Sequence, residues 1–207
     1  MEEVIPKIRD IYARYGIRSV TMDDLARELG VSKKTLYQYF TDKEEVVRNV
    51  VEFMIHDQQD CIAAINNNNA INAIDELLQM SRYISEHLKS VNPSFAYDLR
   101  KYYPPVWNNL VQFKSKTILE HIMANIRKGI AEGLYRKDLN YDILAFVFVS
   151  RMELYSPGGF PELEKFSYHE VFLTLFQYHV RGIANENGRK YLEELLAGNE
   201  IENLRLQ

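Results

Sequence analysis

The stretch Thr21-Met22-Asp23-Asp24-Leu25-Ala26-Arg27-Glu28-Leu29-Gly30-Val31-Ser32-Lys33-Lys34-Thr35-Leu36-Tyr37-Gln38-Tyr39-Phe40 decides how this chain is read. Met22, Leu25, Ala26 and Leu29 fall on one face of a short helix, and Gly30 stops it. Thr21 and Asp24 have the spacing of a capping box, in which hydroxyl and carboxylate each take an orphan N–H. Ser32 is placed to cap a second short helix carrying Leu36 and Phe40 on its inner side. Two short helices joined by a tight glycine turn make a helix-turn-helix. Ala26 is small where the helices must approach, and Val31 and Leu36 are expected to pack the second helix onto the first. That leaves Lys33, Lys34, Thr35, Tyr37, Gln38 and Tyr39 exposed, a set of cations, donors and aromatics suited to a major groove.

Helical spacing continues on both sides. Val4, Ile5, Ile8, Ile11, Tyr12 and Tyr15 form a preceding stripe that ends at Gly16. A fourth helix begins near Lys43, with Thr41-x-x-Glu44 as its capping box, and is read as running on through Ile62 and Ile65. Beyond Asn66 to Asn69 the spacing predicts a helix from Ala70 to about Leu88 and another opened by Ser94 after Asn92-Pro93. A long one runs from Pro104-Pro105 to about Ala131 and is closed by Gly133. Apolar helices are expected over 140–156 and 168–183, separated by the Pro157-Gly158-Gly159-Phe160-Pro161 loop. Asn185 to Gly188 is read as a break before a short helix from Tyr191 to Leu196. The fold class is therefore all-α. A three-helix helix-turn-helix domain, 1–47, precedes a helical domain, 48–207.

Composition narrows the function. A chain of 207 residues with 46% hydrophobic and 26% charged residues is too apolar to be wholly disordered. The net charge is -4, so nucleic-acid binding needs a local basic surface. One exists: eight basic against five acidic residues lie between Ile5 and Lys43. A single cysteine, Cys61, excludes an intrachain disulfide and a cysteine-based zinc site. The longest apolar run, Ile143 to Val149, is far short of the roughly 20 residues that span a bilayer. The acidic start Met1-Glu2-Glu3 has no signal-peptide pattern, and a cytoplasmic location is the expectation.

The stretch from Thr21 to Phe40, followed by Lys43-Glu44, resembles the DNA-binding region of TetR-type transcriptional regulators. The shared pattern is a Thr opening the second helix, Gly-Val-Ser at the turn, Leu-Tyr-x-x-Phe in the recognition helix, then Lys-Glu. Lys34 departs from it, standing where many members carry Gly. The resemblance implies that Thr21, Ser32, Tyr37 and Lys43 hold phosphates of a double-stranded operator, while Lys33, Lys34, Thr35, Gln38 and Tyr39 approach bases or adjacent phosphates. It also implies that the C-terminal domain takes an effector.

The remaining helices are rich in aromatics; the chain holds 14 Tyr, 10 Phe and one Trp. Phe95, Tyr103, Trp107, Phe113, Phe148 and Met152 are candidates to line a cavity for a small apolar or aromatic effector, against the plainer reading of a packed core. Helices 140–156 and 168–183 carry Ile143, Leu144, Val147, Phe148, Val171, Phe172, Leu175, Phe176 and His179, more apolar surface than one face needs. They are expected to pair with their copies in a homodimer. No catalytic, cofactor or metal constellation emerges. His169-Glu170 lacks a second histidine because position 173 is Leu, and Glu52 with His56 is an isolated pair. The expectation is a ligand-responsive regulator, a repressor in the leading reading, and not an enzyme. The alternative is a helix-turn-helix protein whose C-terminal bundle only dimerises or binds a protein.

Overall fold

The computed structural model describes residues 4–68, 70–90, 94–150 and 165–197. These residues are helical throughout, apart from turns and one isolated bridge between Tyr135 and Ala184. The helices are α1 (Val4–Tyr15), α2 (Met22–Glu28), α3 (Lys33–Tyr39), α4 (Lys43–Asn66), α5 (Ala73–Ser90) and α6 (Ser94–Tyr102). Then come α7 (Pro104–Phe113), α8 (Leu119–Ala131), α9 (Tyr141–Ser150), α10 (Tyr168–Ile183) and α11 (Glu186–Ala197). No described helix is long and apolar enough to cross a membrane.

Three local expectations change. The α4 cap lies one residue later than the Thr41–Glu44 spacing suggests. Asp42 accepts from the Glu45 N–H at 2.8 Å, while Glu45 accepts from Thr41 N–H and Oγ1 at 2.6 and 2.8 Å. Asp42 is the shorter acid at the true helix start, so it takes the cap position from Thr41. The long helix opened by Pro104 is interrupted by a π-helical turn, Lys114–Ile118, between α7 and α8. The last helix is not broken at Gly188. Asn185 caps it by accepting the Gly188 N–H at 3.1 Å, and it runs from Glu186. The Ser94 N-cap turn at 91–93 and the 157–161 loop, like the end of the helix expected to reach Ser156, lie outside the described residues.

The chain forms two compact units. The first gathers α1 to α3, α4 as far as Asp60, α6 and α7. Thus α6 and α7, which the sequence reading assigned to 48–207, cluster with the helix-turn-helix. Their Phe95, Leu99, Val106, Leu110 and Phe113 share one core with Ile8, Tyr12, Leu25, Leu36 and Val47.

The second unit holds the rest of α4 and α5, with α8 to α11. Its core includes Ile74, Leu77, Ile122, Ile126, Tyr135, Phe176, Val180 and Leu192. A buried polar cluster ties α5 to α8. The Glu76 carboxylate accepts from Asn125 Nδ2 at 2.8 Å and from Lys128 Nζ. Lys128 Nζ also donates to the Ile71 carbonyl at 2.8 Å, and the Tyr135 hydroxyl donates to Asn125 Oδ1 at 3.2 Å. Gly133, at φ +73°, ends α8 and turns the chain so that the Tyr135 ring folds back over Gly129.

A Cβ at Gly129 would sit 2.2 Å from Tyr135 Cδ2. Gly129→Ala is therefore expected to destabilise the protein by about 1–3 kcal/mol, the cost typical of overpacking, despite the roughly 1 kcal/mol that alanine gains in a helix. Urea denaturation checks this; a stabilised Gly129→Ala protein would show that the ring moves freely.

Candidate nucleic-acid interface

The helix-turn-helix is fixed by its caps before any packing is counted. Thr21 Oγ1 accepts the Asp24 N–H at 3.1 Å, and Asp24 Oδ2 accepts from the Thr21 N–H at 2.9 Å and from its hydroxyl at 2.6 Å. Those bonds hold the Asp24 carboxyl below the usual carboxylate range. Leu25 and Ala26 are buried under α2, and Gly30 takes φ +68°, open to glycine at no steric cost. The Val31 N–H then reaches the Ala26 carbonyl at 3.0 Å. Ser32 caps α3 by accepting the Thr35 N–H at 3.0 Å. Leu36 and Phe40 are the inward anchors of α3. Val31 is not one of them; it is 37% exposed, because the turn carries it past the contact.

The structure brings the expected contact residues onto one short segment, with different degrees of freedom. Lys34, Tyr37, Gln38 and Tyr39 are exposed on α3, with no hydrogen bond or ion pair among the described residues. Lys33 is exposed but paired, with Nζ 2.7 Å from Asp23 Oδ1, which raises its pKa above the ordinary lysine value. Thr35 is half-buried and shares a 2.7 Å hydrogen bond between its Oγ1 and Ser32 Oγ. Thr21 commits both its amide and its hydroxyl proton to Asp24, so here it holds the start of α2 rather than offering a donor outward.

Lys43 is half-buried at the start of α4, and Nζ points to the Arg18 carbonyl at 3.4 Å. Burial lowers its pKa, while Asp98 and Asp24 pull in the opposite sense. Asp98 belongs to α6 and was not singled out in the sequence. It is 5% exposed and accepts the Arg18 N–H at 2.8 Å. A buried acid on an otherwise amphipathic helix is its only sequence signal, and its partner is 80 positions away. Ser94 joins it: a Cβ on Gly16 would lie 2.4 Å from Ser94 Oγ. Helix α6 therefore seats directly on the α1–α2 turn that leads into the recognition segment.

The six effector candidates do not form one set. Phe95 and Phe113 are buried in the core of the first unit, and Tyr103 and Trp107 pack against that core. Phe148 packs against the core of the second unit, with its ring 4.4 Å from that of His179. Met152 lies outside the described residues. The second unit has a different polar candidate. His121 on α8 is 4% exposed, and neither ring nitrogen has a hydrogen-bond partner among the described residues. Burial lowers its pKa against the opposing pull of Glu76. A buried imidazole without partners is costly, so it marks a place where a polar atom of another molecule would be favoured.

On the expected dimer helices, Leu144 and Phe148 pack inward, while Phe176 and His179 are buried. The outward residues are Ile143, 59% exposed, Phe146, 68%, and Val147 on α9, with Tyr178, 69%, on α10. Neighbours one helical turn apart thus form an apolar stripe on α9 that the described residues of its own unit leave exposed.

Comparison with known proteins agrees with this geometry. Residues 7–50 match the family described as bacterial regulatory proteins, tetR family. The HTH-type transcriptional regulator YvaF of Bacillus subtilis (strain 168) is 27% identical over 166 residues, covering 80% of this chain and 86% of the relative. A transcriptional regulator from Cytophaga hutchinsonii has the same fold, with a TM-score of 0.67 at 22% identity over 89% of this chain and 98% of that one. The ketosteroid transcriptional regulator KstR2 of Mycobacterium tuberculosis gives a TM-score of 0.57 at 21% identity, covering 89% and 95% of the two chains. Residues 7–50 thus carry the DNA-binding domain of the tetR family of bacterial regulatory proteins, and the all-helical chain is similar to transcriptional regulators of that family along most of its length.

Proposed function

We propose that this regulator is a ligand-responsive repressor that binds a palindromic operator as a homodimer and is released by a small apolar or aromatic effector. The observation that carries the DNA side is the outward face of α3. It is rigidly capped and inwardly anchored, and it presents Lys34, Tyr37, Gln38 and Tyr39 without competing partners among the described residues. Bidentate amide and cationic contacts to base edges need that pre-set geometry. Two such helices in a dimer would meet half-sites one DNA turn, about 34–36 Å, apart. Lys43 would add a phosphate contact at the start of α4, where the helix N-terminus already favours an anion.

The stripe Ile143, Phe146 and Val147 supports self-association, since obligate interfaces are core-like. The effector side is supported by His121, buried without a partner among the described residues, and by the naming of the similar KstR2 as a ketosteroid transcriptional regulator. An effector need only prefer the DNA-incompetent state by about 1–3 kcal/mol, and DNA must then weaken effector binding by the same factor. The reading in which the body only dimerises has no comparable observation behind it.

Three outcomes are expected. Lys43→Ala removes one phosphate contact per subunit, so in the dimer the slope of log K against log salt becomes shallower by about 1.8, at about 0.9 per contact. An unchanged slope takes Lys43 off the contact list. Phe146→Asp converts the protein to a 24.3 kDa monomer at micromolar concentration by sedimentation; a dimer that survives both this change and Ile143→Asp is held elsewhere.

The third outcome concerns His121. Its pKa is lower folded than unfolded, so the folded chain takes up fewer protons as pH falls below about 6.5. Its contribution to stability is whole above that pH and is lost as the pH falls through the folded-state value. His121→Leu is expected to flatten this acid-side loss and raise the thermal midpoint. It should also abolish operator release by any steroid-like or aromatic compound that releases the wild type. Full release by the His121→Leu protein would separate His121 from the effector.

A further inference from the structure

Two cations, Arg18 and Lys101, share one exposed aromatic ring at the edge of the first unit. The Arg18 guanidinium carbon lies 5.1 Å from the centre of the Tyr102 ring. Lys101 Nζ lies 5.4 Å from that same ring and 5.1 Å from the Tyr97 ring, and it donates to the Tyr97 hydroxyl at 2.7 Å. All four side chains are exposed. Among the described residues, no ion pair involves Arg18 or Lys101. Asp98 is close in the chain, but it is buried and turned to the Arg18 N–H.

The placement is built into the fold. Glycine at position 16 lets Ser94 come close, and Asp98 locks the Arg18 backbone onto α6. Only then does the Arg18 side chain reach a ring on the last turn of that helix. Each cation is held weakly by an exposed aromatic face, yet the two like charges repel each other beside the ring they share. An anion bound to both relieves that repulsion. The same Arg18 carbonyl receives Lys43 Nζ at 3.4 Å, so the cluster continues the edge on which Lys43 stands.

We propose that Arg18 and Lys101, on a platform of Tyr97 and Tyr102, bind backbone phosphates of DNA flanking the bases reached by α3, so that α6 is part of the DNA footprint. Such contacts carry no sequence information, but they add affinity and salt dependence that grow with duplex length. The proposal extends the operator-binding reading and can fail without it. An acidic protein segment is the rival occupant, and it would leave DNA binding indifferent to these residues.

The test uses an operator duplex selected from a random pool with the wild-type protein. It is trimmed to the shortest form whose binding still depends on Gln38, and compared with the same duplex carrying extra flanking base pairs on both sides. The wild type is expected to bind the flanked duplex about tenfold or more tightly than the core, with a salt slope steeper by about 0.9 for each added phosphate contact. Arg18→Gln with Lys101→Gln should abolish that difference while binding to the core duplex still depends on Gln38 and the helical circular-dichroism spectrum is kept. Lys43→Ala should weaken binding to both duplexes. Equal wild-type affinity and slope on the two duplexes would overturn the proposal, as would a double variant that keeps the wild-type slope on the flanked one. If Lys43→Ala still lowered the slope in either case, operator binding itself would stand.

Discussion

The first unit depends on a backbone approach at Gly16 that no side chain would permit. The residue takes φ +81°, and a Cβ there would lie 2.4 Å from Ser94 Oγ and 3.5 Å from Asp98 Oδ2. Removing the Cβ does two things at once. It ends α1 with a left-handed residue, and it lets α6 settle on the turn. Once α6 is there, Asp98 accepts the Arg18 N–H, and the Arg18 carbonyl stands 3.4 Å from Lys43 Nζ. The surroundings of Lys43, proposed above to meet a phosphate, are thus set by an acid more than fifty residues further along the chain.

Acids in this unit act chiefly on their neighbours rather than through net charge. Asp24 fastens Thr21, Glu45 fastens Thr41, and Asp42 caps α4. Each occupies a helix start, where a carboxylate is favoured by the macrodipole. Asp23 is different: it holds Lys33 across from α2. A phosphate reaching Lys33 must compete with that pair, whereas Lys34 meets no such competitor among the described residues. The two adjacent lysines therefore differ in what they can offer DNA, although they are identical in type and neighbours in the chain.

The helix-turn-helix was legible because its information is local. Caps, the Gly30 turn and the inward Leu36 all lie within a few residues of what they act on, and periodicity reports them directly. What escaped was non-local or a matter of one-residue register. Asp42 displaced Thr41 because two capping residues stand side by side and spacing alone cannot rank them. Gly16 was readable as a helix stop but not as the seat of α6. Phe95 and Phe113 have the composition of a ligand pocket and the position of a core, and only packing separates the two. Conversely, nothing in the sequence separates His121 from an ordinary core histidine; only its two ring nitrogens, without partners among the described residues, do so. The outward stripe of α9 was obscured in a run of seven apolar residues that is apolar on every face, so the pattern itself could not say which side was left uncovered.

The shared core of α1 to α4 with α6 and α7 has a consequence for modularity. Phe95, Leu99, Val106 and Leu110 fill the same interior as Ile8, Tyr12 and Leu36. A DNA-reading head cut at residue 47 would leave that interior open to water. The piece of this protein that carries its specificity as a folded object is discontinuous, and recombination by a single crossover cannot move it intact. A regulator that acquired this recognition helix by exchange would need the residues from 94 to 113 as well, or would have to rebuild the seat at Gly16 from its own α6. The helix-turn-helix and the segment from 94 to 113 are therefore constrained to change together.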